Sequence, residues 1–240
     1  MLGRNIANKA FTLIELSVVI AILGLIIASI MAGSQLVDHA QANKMIASAE
    51  KYRMAVRMFK DNYGALPGDM SDSQQFFPSL GQGNGDGGIV GCCGSNELYY
   101  FWAHLGQLGA GLIPETYSGT GTGAVREQNV PPNAMLPDGY WYPHYDTLWS
   151  IHPQRNSLGT DNSSTNDMRI GFVYKIDKKI DDGLPFSGDV IGYGGTTCTN
   201  IAPASATSLA LRLSSYYLIQ NSNARACSIN FSMGVNPKWK

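Results

Sequence analysis

"FTLIELSVVIAILGLIIASIMA", residues 11 to 32, carries one ionisable side chain, Glu15, in a run that is otherwise uncharged and mostly apolar. About 20 apolar residues cross a bilayer as a helix, so the stretch is long enough to span one. A carboxylate in hydrocarbon costs roughly 2.5 to 3.5 kcal/mol even on lenient insertion scales. An acid near the entrance of the run therefore needs a physical reason. Arg4 and Lys9 precede the run, and the positive-inside bias leaves this short N-terminus in the cytoplasm and sends the remainder outward. A cleaved secretory signal is the competing reading, because "ASIMAG" (residues 28 to 33) offers small residues near a cut. Its apolar region is normally about 7 to 15 residues, shorter than this one.

The totals leave room for one ordinary domain beside this segment: 240 residues, a formal net charge of -1 and 15% charged residues. No basic excess points to nucleic acid or to an anionic surface. Beyond residue 62 the chain is rich in Gly, Ser, Asn and Thr, yet keeps enough Tyr, Trp, Leu and Ile to bury a core. The helical pattern continues past the apolar run. Ile46, Ala49, Val56, Phe59 and Tyr63 recur on one stripe, Lys44, Glu50, Lys51, Arg57 and Lys60 occupy other faces, and no proline intervenes before Pro67. The spacing predicts one continuous helix from Phe11 to Asn62.

The stretch "KAFTLIELSVVIAILGLI" (residues 9 to 26) resembles the prepilin-type cleavage and methylation signature of type IV pilins and type II secretion pseudopilins. "YRMAVRMFKDNYGALPGDM" (residues 52 to 70) resembles the end of the pilin helix and the turn after it. The resemblance implies a leader of residues 1 to 10, cut by a membrane aspartyl peptidase between Ala10 and Phe11, with the new amino group of Phe11 then N-methylated. Ala10 departs from the usual glycine before the cut; it is also small, so cleavage is expected at an equal or lower rate. Glu15 becomes the family's acidic position. In a monomer it would snorkel to the interface. In a filament, where helix ends are buried, the α-amino group of a neighbouring subunit is the cation available to it, and pairing cancels two buried charges.

In the exported part, "SDSQQFF" reads as a single turn capped by Ser71 or Asp72. In "GQGNGDGGIVGCCGSNE" (residues 81 to 97), Asn84, Asp86, Gly87 and Ile89 fit the third, fifth, sixth and eighth places of a calcium loop. Gln82 stands in the first place, Cys93 in the place of the bidentate Glu, and Glu97 comes four residues late. This partial match favours a solvated Gly-Asn-Asp turn, with bound calcium at Asn84 and Asp86 as the alternative. Leu98, Phe101, Trp102, Leu105 and Leu108 predict a short helix capped by Ser95 or Asn96 and stopped by Gly109. His104 on it has no ligand partners at metal spacing.

"GYWYPHYDTLW" (residues 139 to 149) packs aromatics around His144 and Asp146. It reads as a loop folded over the core, or else as an aromatic contact surface for sugar or protein built on Trp141. No nucleophile stands near the His-Asp pair in sequence. A helix is expected over "SSTNDMRIGFVYKIDKKIDDG", capped by Asn166 or Thr165, with Val173, Ile176 and Ile180 inward and Gly183 as its stop. Asp177, Asp181 and Asp182 read as a solvated face, with cation ligation as the alternative. "DVIGY" is a short strand. Cys227, Ile229, Phe231 and Met233 alternate with polar neighbours as in a half-buried strand, hairpinned to "SYYLIQ" through Asn221 to Asn223.

Four cysteines in an exported part favour disulfides. Cys92 and Cys93 are adjacent, so three connectivities stay open; the resemblance to pilins, which often staple their C-terminal region, supports Cys198 with Cys227. The expected fold is α+β and pilin-like: a long N-terminal transmembrane helix (residues 11 to 62) and an exported head (residues 63 to 240) of short helices and a small antiparallel sheet. The expected role is structural rather than enzymatic. The resemblance implies a filament subunit in the bacterial inner membrane with its head in the periplasm. Its implied partners are other pilin or pseudopilin subunits, the prepilin peptidase, and an assembly platform driven by a cytoplasmic ATPase. A filament-displayed carbohydrate-binding or adhesive module is the alternative.

Overall fold

The computed structural model of the chain describes residues 12–90, 96–121, 123–133, 135–136, 138–146, 155–161, 168–201 and 209–234. Ala10, Phe11, Cys92, Cys93, Ser95, Thr165 and Asn166 lie outside them. Helix α1 runs from Leu13 to Tyr63. The chain divides into two compact units, residues 1–41 and 42–240, so α1 contributes to both. In the first unit the large apolar side chains from Leu13 to Ile30 are exposed. In the second, Ala42, Met45, Ala49, Tyr52, Val56 and Phe59 are buried. They follow one another three or four residues apart, the spacing of one helix face. Ile46 and Tyr63 flank this stripe half-buried.

After α1 the head has a 3-10 turn at Ser73–Gln75 and helix α2 at Glu97–Leu105. Strands β1 (Tyr140–Asp146), β2 (Arg155–Asp161) and β3 (Met168–Arg169) follow. Then come α3 (Ile170–Ile180), β4 (Val190–Tyr193), the short helix α4 (Leu209–Leu213) and β5 (Arg225–Ser232). Each pairing between these strands is antiparallel, and β5 is the hub: β2 lies along Asn230 to Ser232, β4 along Ser228 to Phe231, and β3 along Arg225 to Cys227. β1 completes the sheet on β2, with Leu158 opposite Pro143. Cys227, Ile229, Phe231 and Met233 are fully buried, as their alternation predicts. They join Trp102, Trp141, Leu158, Val173 and Ile176 and the α1 stripe in one hydrophobic core. The fold is α+β.

The structure corrects several local expectations. Helix α2 stops at Gly106, not Gly109: the Gly106 N–H closes the last turn on Trp102 O (2.9 Å), and the next N–H, of Gln107, leaves for Glu115 O. Leu108 falls outside the helix and is exposed. Asn96 caps α2 by position, yet its side chain makes no capping bond, and the same is true of Asp72 before the 3-10 turn. The aromatic stretch is strand β1 rather than a loop. Helix α3 begins only at Ile170, behind an extended Arg169, because Met168 and Arg169 pair with β5 and are withdrawn from the helix. The expected hairpin does not form. Tyr217 bridges Thr199 instead, residues Ile219–Asn221 make a 3-10 turn, and β5 pairs with β2, β3 and β4.

Cys198 and Cys227 are joined by a disulfide, with Cα atoms 5.3 Å apart and 29 residues of separation. It ties the segment after β4 to the hub strand. Closing a loop of this length stabilises the folded state by about 3 to 4 kcal/mol in the chain-entropy model. Replacing both cysteines by alanine is expected to lower unfolding stability by about that amount, read as a shift of the urea midpoint at constant slope.

Candidate functional site

The first turn of α1 holds the acid that the sequence singled out. Thr12 N–H and Thr12 Oγ1 both donate to Glu15 Oε2 (2.8 Å each), and Glu15 N–H reaches back to Thr12 Oγ1 (3.3 Å). This reciprocal pair is a capping box: it satisfies two of the donors that a helix start leaves open and places a negative group at the positive end of the helix dipole. Glu15 thus has a local role in an isolated chain, apart from any neighbour. The Thr-x-x-Glu spacing ahead of an apolar run was the signal for it. From Leu13 onward, α1 is long and apolar enough to cross a membrane, with a mean hydropathy of 2.7 over its best window and none of that window buried within the chain. Leu13, Leu25 and Ile30 are each more than 60% exposed. A surface of this extent requires lipid or other helices to cover it.

The loop that resembles a calcium site wraps an acid the sequence left out of account. Gly85 N–H donates to Asp69 O (2.8 Å) and Gly87 N–H to Asp69 Oδ2 (3.0 Å). Glu97, at the start of α2, takes the N–H of Asn84 on Oε1 (3.2 Å) and of Val90 on Oε2 (3.0 Å). Asn84 and Asp86 are exposed and bonded to each other, Nδ2 to Oδ2 at 2.9 Å. Burial, with Asp86 and Glu97 adding to it, pushes the Asp69 carboxyl up to about 6 against the bonds from Gly87 and Gly85. Asp69 was missed because it lies on the far side of a turn, well outside the loop's own spacing. His104 pins this region from below. It is fully buried, accepts from Gly68 N–H at Nδ1 (3.0 Å), and donates from Nε2 to Gly81 O (2.9 Å). Desolvation holds it below the ordinary histidine range, so it is a neutral core residue.

The second acidic group is Asp177, Asp181 and Asp182, which offer oxygens within 4.8 Å of one another. All three are engaged. Asp177 accepts Tyr217 O–H (2.6 Å) and Gly183 N–H (3.1 Å), Asp181 accepts the N–H groups of Asp189 and Val190, and Asp182 accepts Leu184 N–H and Ser187 O–H. The expected solvated face holds only in part, because Asp177 is fully buried. Trp141 is also buried, against Tyr52 and Phe231, so it offers no stacking platform. His144 is held below its usual range by burial.

Residues 6–31 match the family model described as the prokaryotic N-terminal methylation motif. This is the signature of type IV pilins and pseudopilins, and the chain carries it at the head of α1. No curated protein and no solved structure matches the chain.

Burial raises Asp177 to about 7, against the bonds from Tyr217 and Gly183 that favour its anion. A carboxyl raised on folding makes the folded state bind the proton more tightly. Its contribution is complete below the unfolded value near 3.8 and is lost as pH rises through about 7. Asp177→Asn should therefore flatten the fall in stability between pH 4 and pH 8 by about 2 to 4 kcal/mol relative to wild type, measured by chemical unfolding across that window.

Proposed function

We propose that the chain is a structural subunit of a type II secretion pseudopilus or type IV pilus. The observation that carries this reading is the methylation motif at residues 6–31, overlapping a helix whose apolar side chains from Leu13 to Ile30 are left uncovered by its own chain. In this reading residues 1 to 10 are a leader removed by a prepilin peptidase between Ala10 and Phe11, and Phe11 is N-methylated. Residues 11 to 62 anchor the chain in the inner membrane and then pack against the helices of other subunits. Residues 63 to 240 form a head in the periplasm. An assembly platform in the inner membrane supplies the partner contacts during extraction.

Glu15 has two successive partners in this scheme. In the membrane it caps its own helix through Thr12. In the filament it pairs with the methylated α-amino group of an adjacent Phe11, which sets the axial register between subunits and leaves neither charge alone in an apolar bundle. Glu15→Ala should leave membrane insertion intact and reduce incorporation into filaments by about tenfold or more, scored by shearing and immunoblot. Intact-mass analysis of the processed chain should give an N-terminus at methylated Phe11. Assembly of Glu15→Ala at the wild-type level, or a soluble form starting near Gly33, would overturn the reading.

A further inference from the structure

His104 is held by two main-chain groups of opposite kind. The Gly68 N–H can only donate, so Nδ1 must accept it (3.0 Å), and the ring proton is thereby fixed on Nε2, which donates to Gly81 O (2.9 Å). One neutral tautomer satisfies both contacts. An imidazolium would set its own N–H against the N–H of Gly68 and break the tie. The ring is fully buried and stacked on Phe59 of α1 (5.9 Å) and Tyr100 of α2 (6.3 Å), with Phe77 at 5.8 Å, so these neighbours offer an added proton no anion.

The next residue of the turn makes the opposite demand. Asp69 is 4% exposed, its Oδ2 accepts the Gly87 N–H (3.0 Å), and its Oδ1 is buried without a hydrogen-bond partner. A bare buried oxygen disfavours the anion, and the charges that act on this carboxyl, Asp86 of the loop and Glu97 of α2, are both negative. Protonation removes a buried charge at Asp69, whereas at His104 it creates one. The turn is seated closely on both neighbours: a Cβ at Gly68 would lie 2.6 Å from Glu97 O, and one at Gly83 would lie 2.3 Å from Gly68 O. Lifting the turn off α2 therefore frees the ring and hydrates the carboxyl in one movement.

We propose that Asp69 and His104 form a proton-compensated latch, which keeps the turn after α1 and the loop at residues 81 to 90 closed on α2 as the medium becomes acidic. The two contributions have opposite signs. Desolvation holds His104 below its ordinary value of 6.5, so its contribution to the closed state is complete above that value and declines as pH falls. Asp69 is raised from 3.8 to about 6, chiefly by burial, so its contribution is complete below 3.8 and declines as pH rises through about 6. Between pH 7 and pH 5 the loss at one is met by the gain at the other. With His104 alone the latch would open in acid.

The test is amide hydrogen exchange of the Gly68 N–H in the full chain in detergent micelles, followed from pH 7.5 to pH 5 and corrected for the intrinsic rate at each pH. Wild type should keep its protection within about threefold over that range. Asp69→Asn, which keeps an oxygen for Gly87 but does not titrate, should lose about tenfold or more between pH 7 and pH 5. Adding His104→Gln to it should restore a flat profile, because the glutamine amide both accepts and donates but takes up no proton. A flat profile in Asp69→Asn would overturn the proposal, as would a slope that survives in the double variant. Asp177→Asn should leave the Gly68 profile of wild type unchanged; a change would mean that the turn opens only with the whole head, and the latch would fall. Should the variants not fold, wild type decides by its own NMR titration: a His104 proton on Nδ1 at neutral pH, or an Asp69 carboxyl titrating at or below 3.8, would overturn the proposal. Filament assembly plays no part in the readout, so this result is independent of the assembly reading.

Discussion

The packing of Tyr52, Val56 and Phe59 beneath the aromatic side chains of the head is the constraint from which the rest of the head follows. Tyr52 meets Trp102 edge-on at 4.9 Å and Trp141 at 5.7 Å, while Phe59 stacks on His104 at 5.9 Å. Trp102 and His104 belong to α2, and Trp141 belongs to β1. One helix face thus sets the positions of the first helix and the first strand of the head together. Each aromatic pair adds about 0.5 to 1.5 kcal/mol beyond the area it buries. His104 can serve there only as a neutral ring, and its two bonds to Gly68 and Gly81 transmit α2's position to the turn and loop that hold Asp69. Arg53, on the same helix and 6% exposed, reaches Glu50 (2.7 Å) and Asp189 (3.1 Å), which ties α1 to the residue just before β4.

What was legible in the sequence had a period or a length behind it. The apolar run, the α1 stripe, the Val173 and Ile176 face of α3, strand β4 and the alternation of β5 were readable because one rule governs many consecutive residues. Strand β2, "RNSLGTD", was not: Leu158 is its sole large apolar residue, and the neighbouring Asn156, Ser157 and Thr160 are buried by their hydrogen-bonding role. Strand β1 reads as continuous aromatic residues rather than as an alternation, so its period of two was masked. The hairpin failed because sequence adjacency was preferred over hydrogen-bond demand. Tyr217 serves buried Asp177, a partner 40 residues away. The candidate site divides in the same way. Glu15 and the Asn84 and Asp86 loop could be found by local spacing, whereas Asp69 joins the loop only through the turn that follows α1.

The capping box changes how Glu15 should be understood. A carboxylate in the first turn of an apolar helix is stabilised by the helix itself, since Thr12 donates two hydrogen bonds and the dipole favours negative charge there. Threonine at this position holds the acid by hydrogen bonds at the start of the apolar run. Exchange of this local partner for the amino group of another subunit would then replace two neutral donors by one charged donor. Such bonds are roughly twice as strong as neutral ones, and more so where water is excluded. By that measure one charged bond would match the two neutral ones, so the exchange would cost the acid little.

The loop around Asp69 illustrates a different economy of hydrogen bonds. Every main-chain N–H from Gly83 to Val90 has an acceptor: Met70 O, Glu97 Oε1, Asp69 O, Asn84 Oδ1, Asp69 Oδ2, Asp86 Oδ1, Asn156 Oδ1 and Glu97 Oε2 in turn. The backbone of this segment is thus satisfied by oxygens alone, most of them on acidic or amide side chains, and needs no ion to hold its shape. Concentrating acceptors in this way leaves Asp86 and Glu97 acting on the Asp69 carboxyl as negative charges. Their mutual repulsion is the residual strain of the arrangement, and it is what lifts the Asp69 carboxyl beyond the effect of burial. A proton relieves that strain at one oxygen of one residue.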